Sequence, residues 1–319
     1  MALIATPKNP IPLGASTGYI EPRKGLRLRF ASWQSVLRER RGTVCILPGR
    51  AEFIEKYFEV VGELRRRGFA VALLDWRGQG GSSRLTRNPL KGHINDFAEY
   101  EEDLAYFMKA VVLPDCPAPY FALGNSMAAM VLFRAATRRG CWFTRMVMTA
   151  PMVRIEGLPM SHRMCGQFAD GLALLGFGKS AMPGDKTKYR HDPPFEGNRL
   201  TSDRERFARN QSVLEAAPEL AIDAPTIGWL KAALDTIEAV NSERFAPRIR
   251  VPVLMLVAGD DQIVSSKAVE GLAIRLRAGS QIVLRGSRHE IMQERDSIRE
   301  QFWAAFDAFV HGVAMSKAS

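Results

Sequence analysis

The sequence predicts an α/β protein: a mostly parallel, twisted sheet flanked by helices, with a helical segment inserted late in the chain. Three observations predict it. Short apolar runs of strand length recur along the 319 residues, helix-patterned segments separate them, and the alternation is broken once, between residues 154 and 247. Parallel strands need crossover connections, so alternation of this kind implies a sheet covered on both faces.

The elements follow in order. "GLRLRFASWQ" (25–34) alternates apolar and charged residues, which predicts an antiparallel strand at one edge of the sheet. "TVCILPG" (43–49), "FAVALLD" (69–75), "YFALGNS" (120–126), "RMVMTAP" (145–151), "VPVLMLVAG" (251–259) and "SQIVLRGS" (280–287) are apolar runs of strand length. Segments 52–67, 97–112, 127–139, 266–277 and 296–311 have helical spacing with polar faces. Residues 154–247 contain helix-like patches, "MCGQFADGLALLG" and "TIGWLKAALDTIEAV", around the turn-rich stretch "PGDKTKYRHDPPFEGN" (183–198), and no convincing buried strand. This predicts a core domain of 1–153 and 248–319 with a helical cap insertion of 154–247.

Composition excludes several classes. Hydrophobic residues make up 46% and charged residues 24%, and no apolar run is long enough to span a bilayer. The N-terminal stretch lacks the charged, apolar and small-residue succession of a secretory signal, so the expected location is cytoplasmic. Cys45, Cys116, Cys141 and Cys165 are scattered with no CxxC pair, which suggests free thiols rather than zinc ligands or disulfides. The net charge of +10 suits peripheral contact with an anionic membrane surface. The basic clusters 38–41 and 64–68 interleave no aromatics, so no nucleic-acid partner is expected.

The chemistry centres on "GNSMA", residues 124–128. A serine at a sharp strand-to-helix turn presents its hydroxyl above the sheet, beside the amides of a helix N-terminus. Ser126 occupies that place, with Gly124 two before it and Ala128 in the usual position of a second glycine. Two further strand ends carry partners: "GDDQIV" offers Asp260 and Asp261, and "GSRHE" offers His289. In this order a serine nucleophile, an acid and a histidine base form a proton-transfer triad. The remaining histidines, His93, His162, His191 and His311, are assigned to structure or surface. For the oxyanion, the amide of Met127 follows the nucleophile, and the loop "LPGRAE" after the first parallel strand offers the amide of Arg50.

Together these stretches resemble the bacterial lysophospholipase and monoacylglycerol lipase branch of the α/β-hydrolases. "LPGRAEFIEKY" is similar to that branch's oxyanion loop, "DWRGQGGSSR" to its D-x-R-G-x-G-x-S turn, "GNSMAA" to its G-H-S-M-G-G elbow, and "GSRHEIMQERD" to its histidine loop. The resemblance selects Asp261 as the acid, because Asp261-Gln262-Ile263-Val264 fits the acid loop and Asp260 is one place out of register. It gives Asp75 and Arg77 a bracing role. Asn125, Ala128, Ala129 and Pro48 depart from the pattern.

The resemblance implies a serine esterase acting through an acyl-enzyme on a lysophospholipid or related monoacyl lipid, with no metal and no cofactor. Phe168, Leu172, Leu175 and Trp229 in the inserted segment are the candidates for an acyl channel. A carboxylesterase for small soluble esters, a monoacylglycerol lipase and a non-hydrolytic ligand-binding protein are the alternatives. A serine in the elbow disfavours haloalkane dehalogenase chemistry, which needs a carboxylate there.

Overall fold

The computed structural model describes residues 2–181, 194–223 and 225–311. Most of the turn-rich stretch 183–198 lies outside them, as do His191 and the side chain of His311.

Eight strands form one sheet: β1 (Ala15–Arg23), β2 (Leu26–Trp33), β3 (Thr43–Leu47), β4 (Ala70–Leu74), β5 (Tyr120–Asn125), β6 (Phe143–Thr149), β7 (Val253–Ala258) and β8 (Gly279–Leu284). Their spatial order is β1-β2-β4-β3-β5-β6-β7-β8. β3 through β8 are mutually parallel, whereas β2 runs antiparallel to both β1 and β4. The helices are α1 (Phe58–Arg66), α2 (Ala98–Phe107), α3 (Leu113–Asp115), α4 (Met127–Ala136), α5 (His162–Leu174), α6 (Arg204–Ala216), α7 (Ile227–Asn241), α8 (Ser266–Ala273) and α9 (Asp296–His311).

β3, β4 and β7 are buried along their whole length, as expected of strands covered on both faces. One expectation is corrected. The strand at 26–33 is not the edge of the sheet, because β1 pairs outside it from Ala15 to Arg23. β1 holds a proline and few apolar residues, and most of its positions are exposed or half-exposed, so it carries little of the pattern that marks a strand. The alternation in β2 also conceals a buried charge. Arg29 is fully buried, with its Nε 2.7 Å from Asp75 and its two terminal nitrogens 2.8 and 2.7 Å from the carboxylate of Glu55.

Between β6 and β7 the described residues contain α5, α6 and α7 and no strand of the sheet. Each of these helices starts at a side-chain cap: Ser161 accepts from the amide of Met164, Asp203 from that of Arg206, and Thr226 from that of Trp229. α7 sinks Trp229, Ala232, Ala233, Ile237 and Val240 into the main hydrophobic cluster. α6 is tied to the core by charge instead. Glu59 of α1 accepts bonds of 2.6–2.8 Å from Arg206 and Arg209 of α6 and from Arg299 of α9.

This cluster has a pH signature. Burial pushes the Glu59 carboxyl up, but the three guanidiniums outweigh it and pull it from 4.5 down to about 2. A depressed carboxylate contributes stability above its unfolded value of 4.5, and that contribution is lost as pH falls from 4.5 towards 2. Glu59→Gln is expected to cost about 1–2 kcal/mol at pH 7, less than a fully buried pair because the side chain is 25% exposed. Melting temperatures measured from pH 7 to pH 2 check this: the gap between wild type and variant should close across the acid range.

Candidate active site

The candidate nucleophile stands in a forced turn. Ser126 lies between β5 and α4, as the N-cap of the helix, with φ 49° and ψ −107°, a left-handed conformation unusual for a residue with a side chain. Its amide donates to Thr149 O at 2.9 Å, and its carbonyl accepts from the amides of Ala129 and Met152, so the turn is held from both sides. Gly124 is closely packed: a Cβ there would lie 2.6 Å from Leu132 Cδ1, so any larger residue would force that side chain to move. The alanine at 128 is fully buried with its methyl in the main core cluster, so the turn accommodates a methyl where the pattern has a glycine.

The acid and the histidine meet at adjacent strand ends. β7 and β8 are paired through Ala258 and Leu284, and the backbones stay close beyond them, with Gly259 N bonded to Leu284 O and Asp260 N to Ser287 O. A Cβ at 259 would stand 2.9 Å from Leu284 O, so only glycine lets the strands leave the sheet this closely. Asp261 Oδ1 accepts from the amides of Ile263 and Val264 at 2.8 and 3.0 Å, and its Oδ2 lies 2.8 Å from His289 Nδ1. The carboxylate is thereby locked with one oxygen aimed at the imidazole, while Asp260 is exposed. Among the described residues the Ser126 hydroxyl forms no hydrogen bond; such contacts tighten when substrate binds.

Two of the other histidines have structural partners. His93 Nδ1 is 2.8 Å from Thr226 Oγ1, and His162 Nε2 is 2.8 Å from Ile155 O.

Met127 is the first residue of α4, where backbone N–H groups lack intrahelical acceptors and the helix dipole favours negative charge. In the facing loop the amide of Gly49 donates to Glu52 and that of Ala51 to Gln79, with Arg50 between them. This loop is braced by the turn after β4. Trp76 Nε1 donates to Pro48 O, Gln79 Nε2 donates to Gly49 O, and Asp75 accepts from the amide of Ile54. Arg77 reaches the other way, to Asp103 and Glu99 of α2, and so anchors the turn rather than the loop itself.

Sequence reasoning missed the polar residues behind these loops. Glu52, Lys56, Gln79 and Glu290 are all buried. Their signal was present: "EFIEKY" places charges inside a segment whose apolar residues are themselves core. Burial raises the Glu52 carboxyl, yet Lys56, the Tyr57 hydroxyl and the Gly49 amide hold it below its ordinary value. Glu290 moves the opposite way, because burial outweighs Lys56.

The acyl-channel candidates are dispersed. Trp229 is buried, its ring 6.1 Å from that of Phe97 and beneath the guanidinium of Arg50. Leu172 is half-buried, and Phe168 and Leu175 are exposed on or beside α5. No group of three or more His, Cys, Asp or Glu side chains among the described residues is arranged to hold a metal.

Known proteins match this architecture along most of the chain. Lysophospholipase L2 of Escherichia coli K12 is 30% identical over 290 residues, covering 85% of this chain and 80% of its own. Probable lysophospholipase L2 of Haemophilus influenzae is 25% identical over 297 residues, 92% of each chain. Among solved structures, a soluble variant of the Saccharomyces cerevisiae monoglyceride lipase superposes with a TM-score of 0.73 at 16% identity, over 94% of this chain and 97% of that one. A Bacillus coagulans carboxyl esterase gives 0.75 at 18%, over 95% and 99%, and at these identities both structures speak for the fold alone. The family model described as serine aminopeptidase, S33, matches residues 38–296, a span that runs from before the oxyanion loop to beyond the histidine loop, and the chain belongs to that family of α/β-hydrolases.

Proposed function

We propose that this protein is a serine hydrolase that cleaves the single acyl ester of a lysophospholipid or related monoacyl lipid. The observation that carries the mechanism is the locked Asp261–His289 pair beyond the C-terminal ends of β7 and β8, on the same edge of the parallel sheet as the strained Ser126 turn after β5. Ser126 Oγ attacks the ester carbonyl while His289 Nε2 takes its proton, and Asp261 balances the imidazolium at Nδ1. The amides of Met127 and Arg50 receive the negative oxygen. His289 then protonates the leaving glycerol oxygen, and water, activated by the same imidazole, releases the fatty acid from the acyl-enzyme.

The substrate class rests on the relatives named lysophospholipase and on the surface of the inserted segment, residues 154–247, which we read as a helical cap. Cys165 and Ala169 of α5 face inward, whereas Met164, Phe168, Leu174, Leu175 and Phe177 are exposed in and just beyond the same helix. Leu174 is 89% exposed. An apolar patch of this kind on a protein of net charge +10 suits peripheral docking on an anionic lipid surface. No helix among the described residues is long and apolar enough to cross a membrane.

The test is a panel of lysophosphatidylcholine, lysophosphatidylethanolamine, monoacylglycerol and nitrophenyl esters of increasing chain length. Release of long-chain fatty acid from the lysophospholipids supports the proposal. A strong preference for short acyl groups moves the assignment to soluble esters. The double variant Leu174→Ser/Phe177→Ser is expected to weaken sedimentation with anionic vesicles by about tenfold, as each buried side chain contributes about 1.5–3 kcal/mol at full burial and less at an interface, while hydrolysis of a short soluble ester is unaffected.

A further inference from the structure

Behind the three loops lies a buried chain of charge that none of the proposed chemical steps uses. Glu52, in the oxyanion loop, accepts from four donors: the Gly49 amide, the Tyr57 hydroxyl at 2.5 Å, Asn125 Nδ2 at 3.1 Å and the Lys56 ammonium at 3.1 Å. Asn125 immediately precedes Ser126, and its Oδ1 accepts from Thr149 Oγ1 at 2.8 Å. The same Lys56 ammonium stands 2.5 Å from Glu290, the residue after His289. Glu52, Lys56, Asn125 and Glu290 are each no more than 7% exposed.

Burying two carboxylates and an ammonium costs several kcal/mol per ion, and well-packed apolar side chains of the same volume often serve stability as well or better. Stability is therefore a poor account of this cluster. What it does provide is register. One carboxylate binds both the loop carrying Gly49 and Arg50 and the residue before the nucleophile, and one ammonium extends that link to the residue beside the base. Displacement of reacting groups by about 1 Å costs on the order of 100-fold in rate.

We infer that Lys56 and Asn125 are positioning residues that act through Glu52: they fix the oxyanion loop, the Ser126 turn and the His289 loop relative to one another for the acylation step. The assignment rests on the serine-hydrolase reading above. Asn125 takes the place of the histidine in the pattern its elbow resembles, and here it supplies both a donor to Glu52 and an acceptor to Thr149, so the turn is tied to β6 as well as to the loop.

The experiment uses the full chain and a soluble nitrophenyl ester, with fluorophosphonate labelling as a second readout. Labelling of wild type and its loss in Ser126→Ala are established first; failure there strikes the serine-hydrolase reading and not the network. Asn125→Leu and Lys56→Met are each expected to lower kcat and the labelling rate about 10- to 100-fold, with KM within about twofold. Because both act through one carboxylate, the double variant should lose little more than the worse single variant. Lys56→Arg, whose guanidinium spans both carboxylates, should recover most of the rate. Should Lys56→Met fail to fold, Asn125→Leu still decides through its kcat, labelling rate and KM. The proposal is overturned if wild type labels normally and folded Asn125→Leu and Lys56→Met keep kcat within twofold, if their losses multiply in the double variant, or if KM alone changes.

Discussion

Ser126→Ala is expected to abolish both ester hydrolysis and fluorophosphonate labelling, with kcat falling roughly a millionfold to a residual rate set by the oxyanion amides and by binding alone. The fold should survive, because what holds the turn is backbone: Ser126 N to Thr149 O, and Ser126 O to the amides of Ala129 and Met152. Alanine keeps all three bonds and must adopt the same left-handed φ. The strain stored there is about 1–3 kcal/mol for any residue with a Cβ and is already present in wild type. The measurement is therefore activity together with an unchanged melting temperature. Full labelling of Ser126→Ala would show that another residue is the nucleophile.

Asp261→Asn is expected to reduce kcat roughly 10⁴-fold, while Asp260→Asn stays within about twofold of wild type. The structure makes the reason specific. The amides of Ile263 and Val264 both point at Oδ1, so an asparagine at 261 must set its carbonyl oxygen there and turn its NH₂ towards His289 Nδ1. The imidazole is then held with its proton on Nε2, the atom that must accept from Ser126. Asp260 is exposed and does not enter that geometry. Steady-state kinetics of the two variants separate the neighbouring aspartates, and equal losses in both would remove Asp261 from its proposed role.

Much of this architecture was legible before the coordinates. β3 through β7 appear within about two residues of their apolar runs, since a strand buried on both faces leaves a hydrophobic signature, whereas β8, an edge strand with most of its residues at least partly exposed, ends three residues short of its run. The Ser126 turn was legible because a sharp strand-to-helix turn brings small residues with it, and the choice of Asp261 over Asp260 came from register in a resembled motif. β1 was not legible. Its residues satisfy hydrogen bonds along one side of β2 while most of its side chains remain at least partly exposed, so burial left no periodicity to read.

Other features were beyond the sequence for a different reason. Arg29, Glu52, Lys56 and Glu290 look like surface charges in any local window, and each is buried because its partner arrives from a distant segment: Glu55 and Asp75 for Arg29, Asn125 for Glu52, Glu290 for Lys56. The exposure of Phe168 and Leu175 is likewise a matter of which face of α5 the remainder of the chain covers.

By itself the sequence determined the alternating sheet architecture, the inserted helices and the three chemical groups at strand ends, because periodicity and motif spacing are local properties of the chain. Only the tertiary structure decided which aspartate oxygen faces the imidazole, which charges are buried, and which apolar face is left to solvent. Those outcomes depend on desolvation and on partners brought together across more than two hundred residues, as Lys56 and Glu290 are.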